Sequence, residues 1–174
     1  MPTEISGSTG VNKIQDNTIV NADINSSAAI AGSKISGGVG KVLQVVISEH
    51  STQTTLSTDT YTDIGHSATI TPSSTASKIL VMWRAHARTS IAGSGFGTKL
   101  VRGSTAVWTS NSNYSQYYAN AGEIHSSHNI SYIDSPSTTS ATTYKLQASS
   151  YGSNLIKMNS DGEKTQIVLM EIAG

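Results

Sequence analysis

The sequence predicts an all-β fold: an antiparallel β-sandwich or jelly-roll domain, preceded by a short and mostly irregular segment. Between residues 41 and 174, short runs rich in β-branched and aromatic residues recur, and clusters of Ser, Pro, Gly and Asp separate them. No helical repeat lies between these runs. Many short strands without intervening helices are typical of a sandwich or a jelly roll, because the strands pair with one another and bury one face.

The clearest strand is Lys78–Arg88, in which apolar and polar residues alternate. One of its faces carries Ile79, Val81, Trp83, Ala85 and Ala87. Leu80 and Met82 interrupt the opposite, polar face, so we expect part of that face to be covered as well. Further strands are predicted at Val42–Ser48, Thr60–Gly65, Ala68–Thr71, Gly97–Arg102, Thr105–Thr109, Ile124–Ile133, Thr142–Ser149, Leu155–Met158 and Thr165–Ile172.

Two of the predicted strands are apolar on both faces, at Val42–Ile47 and at Ile167–Met170. A strand of a two-sheet sandwich needs only one apolar face, the one that meets the other sheet. The second face requires a cover, either a loop of the same chain or another subunit. Of these two we favour a subunit interface.

The first forty residues contain isoleucines at a spacing that fits neither a helix nor a strand. The steps between them are five, five, six and five residues, at Ile14, Ile19, Ile24, Ile30 and Ile35. A five-residue step turns a helix by about 500°, and it moves a side chain to the opposite face of a strand. One copy therefore has no single apolar face. We predict a stem, residues 1–40, in which three copies wrap a common axis; a disordered tail is the alternative.

A glycine-rich joint at 37–40 separates this stem from a knob domain, residues 41–174. Leu, Ile, Val and Phe make up only roughly a fifth of the chain. This is close to the level below which a chain has too few apolar residues to form a folded core. A chain of this composition is easier to stabilise if several copies share a core. The composition therefore agrees with a homotrimer.

The charge and cysteine content exclude several classes of function. Net charge is +0 and only 13% of residues are charged, so no basic surface for nucleic acid is expected. The chain has no cysteine, which excludes disulfides and Cys-based metal sites. No apolar stretch approaches the roughly 20 residues of a membrane span, and no signal peptide is recognisable. We expect assembly inside the producing cell and no membrane insertion.

No motif indicates an enzyme or a cofactor. His125 and His128, with Glu123 nearby, suggest metal ligands, but residues three apart on a strand point to opposite faces, so solvated or interface histidines are favoured. Three copies of one histidine around an ion on a trimer axis are the alternative. No carboxylate pair suited to glycoside hydrolysis stands out, and no G-x-S-x-G motif is present. The glycines of 93–97 lack the lysine of a phosphate loop and predict a flexible connection.

The segment from Trp108 to Gly122 is rich in Tyr, Asn and Ser, which is the composition of a recognition loop. Tyrosine supplies a rigid apolar face, and the amides of Asn and Gln supply paired hydrogen-bond donors and acceptors. Its candidate contact residues are Trp108, Asn111, Asn113, Tyr114, Gln116, Tyr117 and Tyr118. We predict that it contacts a glycan or protein of a host surface. The alternative is that its tyrosines pack against a neighbouring subunit or under the loop.

Several segments of the chain together carry a resemblance to a known class of proteins. One is the stem from Ile14 to Ile35, and those in the knob are Gly40-Lys41-Val42-Leu43-Gln44-Val45, Ile70-Thr71-Pro72-Ser73-Ser74, Ser77-Lys78-Ile79-Leu80-Val81, Arg102-Gly103, Asp134-Ser135-Pro136, Thr143-Tyr144-Lys145 and Met170-Glu171-Ile172-Ala173. In these segments the chain resembles phage tail-fibre and related virion proteins, and its knob is similar to a domain frequent in fibres of marine and cyanobacterial phages.

The resemblance implies a structural, non-enzymatic virion protein on the tail or capsid surface, assembled in the host cytoplasm. It implies a homotrimeric fibre or spike whose stem contacts other virion proteins and whose knob binds the host cell. A capsid decoration, cement or head-fibre protein without receptor binding is the alternative. A polysaccharide hydrolase is a third possibility, which the missing carboxylate pair disfavours.

Overall fold

The computed structural model describes residues 41–110, 115–120 and 122–174. The stem isoleucines Ile14, Ile19, Ile24, Ile30 and Ile35 lie outside the described residues, as do Asn111, Asn113 and Tyr114 of the predicted contact loop. The described residues form one compact unit. The predicted boundary at residue 40 stays a prediction.

The described residues form eleven strands. They are β1 Val42–His50, β2 Thr54–Leu56, β3 Thr62–Ile70, β4 Lys78–Thr89, β5 Ser94–Arg102, β6 Thr105–Thr109, β7 Gln116–Tyr118, β8 Ile124–Asp134, β9 Thr142–Ser150, β10 Ile156–Met158 and β11 Thr165–Ile172. Two single-turn 3-10 helices follow β9 and β10, at Tyr151–Ser153 and Ser160–Gly162. Neither of these two helices has the length or apolarity to span a membrane.

The strands form two antiparallel sheets that enclose one core, so the predicted sandwich is confirmed. In sheet A, β4 pairs with β8 along one side and with β11 and then β10 along the other. β1 pairs with β11 and β2 pairs with β10 at the outside of this sheet. In sheet B the order is β3-β9-β5-β6, and β7 pairs with β5 beyond the end of β6.

The core lies between the sheets and follows the alternation of the strands. The predicted apolar face of β4 is buried throughout, from Ile79 to Ala87. Phe96, Leu100 and Leu146 of sheet B are buried in the same cluster. Burying large apolar side chains of this kind contributes about 1.5–3 kcal/mol each, so this interior is the main source of stability.

Several strand predictions need correction. Thr60–Gly65 and Ala68–Thr71 are one strand, β3, with a change of register between Asp63 and Ser67. Gly65 allows this irregularity, because its φ is +78° and a Cβ would lie 3.3 Å from the His50 ring. The glycines of 93–97 are not only a flexible connection, since β5 begins at Ser94. The short strands β2 and β7 were not predicted.

The chain enters the knob at one end of the sandwich, which we call the proximal end. There β1 begins beside the end of β11, and the carbonyl of Lys41 accepts a 2.9 Å hydrogen bond from the amide of Ala173. β4 also begins at this end and β8 finishes there, because Ile79 pairs with Asp134. At the opposite, distal end β4 finishes at Thr89 and β5 begins.

A buried carboxylate organises the proximal end of sheet A. The side chain of Glu171 has no solvent exposure. One of its oxygens accepts bonds of 2.7 and 2.6 Å from the amide and hydroxyl of Ser73, and the other accepts a 2.6 Å bond from the Gln44 amide. Three of the segments that carry the family resemblance therefore meet at one carboxylate.

A second buried carboxylate joins the two sheets at the same end. Asp134 of sheet A accepts hydrogen bonds of 2.9 and 2.7 Å from the Arg102 guanidinium and one of 2.6 Å from the Tyr144 hydroxyl, both in sheet B. Burial, followed by the bond to this carboxylate, raises the pKa of Tyr144. Three further resemblance segments of the knob, at 102–103, 134–136 and 143–145, meet here.

Candidate functional site

Two exposed tyrosines form an aromatic pair at the distal end of sheet B. The rings of Tyr117 and Tyr151 meet edge to face, with centroids 5.7 Å apart and an interplanar angle of 83°. They are 51% and 38% exposed, respectively. An edge-to-face contact of this kind adds about 0.5–1.5 kcal/mol and holds both rings in place. The pair is an aromatic surface that is partly accessible to solvent.

The local fold brings the two tyrosines together over a glycine. Tyr117 pairs with Gly95 of β5, and on the other side of β5 Phe96 pairs with Ser150, which precedes Tyr151. Phe96 points into the core, so its neighbour Gly95 belongs to the outer face. Because Gly95 has no side chain, the flanking rings have room to meet above it.

Two aliphatic side chains lie in the loops beside this pair. Ile91 is 38% exposed and Leu155 is 42% exposed. The two loops are connected, because the Thr89 hydroxyl donates to the Leu155 carbonyl at 3.1 Å and the Asn154 amide donates to the Gly93 carbonyl at 3.2 Å. We call Ile91, Tyr117, Tyr151 and Leu155 together the distal surface.

The predicted contact residues divide into exposed and packed side chains. Trp108 and Tyr118 are partly buried against the core. The Tyr118 hydroxyl bonds to Gln116 at 2.8 Å and to Ser126 of sheet A, and burial raises its pKa. Tyr118 therefore joins the two sheets at their edge, whereas Tyr117 faces solvent. The role of the segment in recognition stays a prediction.

Sequence reasoning missed three members of the distal surface. These three residues, Ile91, Tyr151 and Leu155, are separated from Tyr117 by 26 to 38 positions in the sequence. Each lies in a short connecting segment whose residue composition does not suggest a binding site. Only the pairing of β5 with both β7 and β9 brings Tyr151 to Tyr117. The weak signal available was an aromatic residue before a glycine, Tyr151-Gly152, at the end of a predicted strand.

The histidines of β8 point to opposite faces, as the strand alternation predicts. His128 lies inside, edge-on to Trp83 and Phe96, and burial lowers its pKa. His125 lies outside, 3.2 Å from His86 and 2.9 Å from Glu123. Among the described residues, no group of three His, Cys, Asp or Glu side chains is arranged to hold a metal ion.

A charged cluster surrounds the outer histidines at the distal end of sheet A. Arg88 bridges Glu123 at 2.7 Å and Asp161 at 3.3 Å. Burial and then the neighbouring His125 lower the pKa of His86. The bonds from His125 and Arg88 lower the pKa of Glu123. The charged side chains of this surface cluster form ion pairs with one another. The cluster also places polar groups at the distal end.

No family model and no curated protein matches this chain. Among solved structures it is similar to VP2 of infectious bursal disease virus in a subviral particle, with 12% identity and a TM-score of 0.45 over 83% of this chain and 43% of that one. The Gx strain structure of that virus gives 14% identity and a TM-score of 0.43, over 74% and 39%.

A bacterial protein shows a similar degree of likeness. Dimeric latent PorU from Porphyromonas gingivalis gives 9% identity and a TM-score of 0.35, over 77% of this chain and 14% of that one. The chain thus spans less than half the length of each of these proteins. At these scores the likenesses carry no information about function.

Proposed function

We propose that this chain is a structural virion protein of a bacteriophage, a homotrimeric fibre or spike whose knob binds the surface of the host cell. The observation that carries the proposal is the separation of the two ends of the knob. The chain enters at the proximal end, and the exposed aromatic pair Tyr117–Tyr151 lies at the distal end. In the proposed fibre, host binding by the distal end leaves the proximal end for attachment to the virion.

The chemistry of the distal surface suits a glycan or protein of the host. Aromatic rings stack on the C–H faces of sugars and on apolar side chains, while nearby amides, hydroxyls and charges supply hydrogen bonds. One such surface is small and binds weakly. Three copies on one particle bind at high effective concentration, so weak single sites give firm adsorption.

Competition with phage adsorption tests this function. Purified full-length protein is mixed with host cells before the parent phage is added, and free phage is counted. We expect the wild-type protein to block adsorption and the double variant Tyr117→Ala/Tyr151→Ala to need at least about tenfold more protein, since each lost aromatic contact costs about 1 kcal/mol or more. The control is Thr105→Ala, at the exposed first residue of β6, which lies at the proximal end.

Two outcomes would contradict the proposal. Equal competition by the wild type and the double variant would remove the distal surface as the binding site. A wild-type protein that associates with phage particles but never competes for host cells would indicate a decoration protein. Circular dichroism of each variant confirms that the sandwich is folded before the comparison is made.

A further inference from the structure

We propose that the outer face of sheet A is the surface through which copies of the knob pack on one another. The inference rests on the proposed homotrimer and assigns its interface. Seven side chains on four strands form the surface, which we call the apolar face: Val45, Ile47, Leu80, Met82, Ile133, Val168 and Met170.

The strand register places these side chains in two adjacent rows. The first row runs Val45–Met170–Leu80–Ile133 across β1, β11, β4 and β8. The second runs Ile47–Val168–Met82 and ends at Ser131. Directly paired side chains on one face of a sheet have Cβ atoms about 4.5–5.5 Å apart, so the rows form a continuous apolar surface.

No described residue covers this surface. Val45, Ile47 and Ile133 are 49%, 59% and 55% exposed, and the side chains between them are only partly buried. A sandwich strand that faces water usually carries polar residues on that side. Leaving apolar area in water costs roughly 25 cal/mol per Å², and monomeric proteins rarely expose large contiguous apolar patches.

The outer face of sheet B shows what a solvated face of this protein contains. There Asp63 accepts hydrogen bonds of 2.8 Å from Lys145 and 2.7 Å from Gln147. Lys99 lies over the Tyr61 ring, 4.1 Å from its centroid. The two outer faces therefore differ in chemistry, and only that of sheet A resembles an interface core.

The distribution of charge agrees with another copy of the chain as the partner. Around a threefold axis equivalent residues meet one another, so any charge near the axis faces its own copies. The apolar face contains none. Charged residues begin at its borders, at Lys78 on the proximal side and at Glu49 and Arg84 on the distal side.

The course of the chain supports the same partner. Five residues separate Ile35, the last isoleucine of the predicted stem, from Lys41. Six chain steps reach at most roughly 20 Å. If three stems share an axis, as proposed, covalent reach alone keeps Lys41 within that distance of it, and Val45 and Ile47 stand on β1, the first described strand.

Charge insertion tests the inference on the full-length protein. In Ile47→Lys the new side chain replaces one that is largely exposed, so the single knob should still fold. The matched control is Gln166→Lys, on the same outer face one row beyond the apolar face, where Gln166 pairs with Glu49 and Arg84. Light scattering after size-exclusion chromatography measures the mass over a dilution series.

We expect trimers for the wild type and for Gln166→Lys. For Ile47→Lys we expect the concentration of half-dissociation to rise at least about tenfold, because an ammonium group would be buried without a partner. If all three proteins form trimers that dissociate at the same concentration, the inference about the interface is overturned, but the proposed homotrimer is not. A monomeric wild type would instead overturn the trimer itself, and the inference with it.

Cross-linking gives a second reading that does not depend on dissociation. Because the chain has no cysteine, single cysteines are unique probes. Ile47→Cys and Ile133→Cys on the apolar face should cross-link between copies with a short bismaleimide. Thr109→Cys, exposed on sheet B, is the control and should not. Cross-linking through Thr109→Cys alone would place the interface on sheet B and overturn the inference.

Discussion

Glu171 shows how a single residue depends on its partners in this protein. Burial alone would raise the pKa of its carboxyl. The hydrogen bonds donated by Ser73 and Gln44 outweigh that effect and lower the pKa to about 2. The ionised form is therefore stabilised in the folded protein, and the unfolded chain takes up protons more readily. The contribution of Glu171 to the free energy of unfolding is fully present above the pKa that this carboxyl has in the unfolded chain. It is lost as the pH falls from about 4.5 towards about 2.

Replacing Glu171 by glutamine should destabilise the knob at neutral pH. The three donors around the carboxylate would then face an amide, which offers one acceptor and adds a donor of its own, at a cost of about 1–3 kcal/mol. Urea unfolding at pH 7 measures the loss. Glu163→Gln, at an exposed glutamate, is the control, and its effect should stay within about 0.5 kcal/mol. An equal effect of both changes would contradict the role given to Glu171.

Three histidines make a separate contribution to the pH dependence. Burial is the main cause that lowers the pKa of His66, His86 and His128. For such a group the unfolded chain binds more protons once the pH falls below about 6.5, so stability decreases in that direction. This pH window lies above that of Glu171, and the two effects can be measured separately.

We expect the urea midpoint of the wild type to be lower at pH 5.0 than at pH 7.5. Each histidine can contribute at most about 1.4 kcal/mol per pH unit. In His128→Gln the difference between the two midpoints should shrink, because the glutamine does not titrate. A midpoint that rises on acidification would show that the histidines are not held neutral by burial.

At the scale of the elements, the proximal end depends on contacts between strands of different sheets. The Arg102 guanidinium and the Tyr144 hydroxyl of sheet B both bind Asp134, the last residue of β8 in sheet A. The amide of Gly103 donates a 2.8 Å bond to the Thr143 carbonyl, which holds the turn after β5 against β9. Asp134 is thus a buried connection between the sheets.

Asp134→Asn should lower the free energy of unfolding by about 3 kcal/mol or more, since it leaves the Arg102 charge without its partner in a mostly buried site. Chemical unfolding measures this change. The comparison is Lys164→Ala, which removes an ion pair to Glu49 in which both side chains are at least half exposed. Exposed pairs contribute about 0–1 kcal/mol. A loss of that size for Asp134→Asn would mean that the sheets do not depend on this contact.

The strand elements were predictable where their own residues alternate. β4, with its apolar side chains buried as predicted, is the clearest case. β2 and β7 have three residues each, too few to show a period, and only their pairing with β10 and β5 makes them strands. The register change near Gly65 was not predictable either, because neither the positive φ of Gly65 nor the nearby His50 ring of β1 leaves a pattern within β3 itself.

At the scale of the whole molecule, the knob has two different ends and two different outer faces. The proximal end holds the buried carboxylate networks, and the distal end holds the exposed tyrosines. The outer face of sheet A is apolar over much of its area and charged at its distal end, whereas that of sheet B carries the ion pair Lys145–Asp63. A trimer that uses the first face leaves the distal end free for binding.

If contacts between the copies of the proposed trimer stabilise each folded copy, the melting temperature should depend on the protein concentration. Dilution favours separated chains, so the melting temperature should fall over a hundredfold dilution of the wild type. Differential scanning calorimetry at several concentrations measures the shift. For Ile47→Lys the melting temperature should change little with concentration. A wild type with a constant melting temperature would contradict coupling between folding and assembly.

The fold class was predictable from the sequence alone, because an apolar residue at every second position reports which face of a strand is buried. The sequence also indicated that two strands, Val42–Ile47 and Ile167–Met170, have a second apolar face that the core of the sandwich does not require. The tertiary structure decided which distant residues meet: Tyr117 with Tyr151, and Glu171 with Ser73 and Gln44. Those contacts depend on the register between strands far apart in the chain, which no periodicity within one strand encodes.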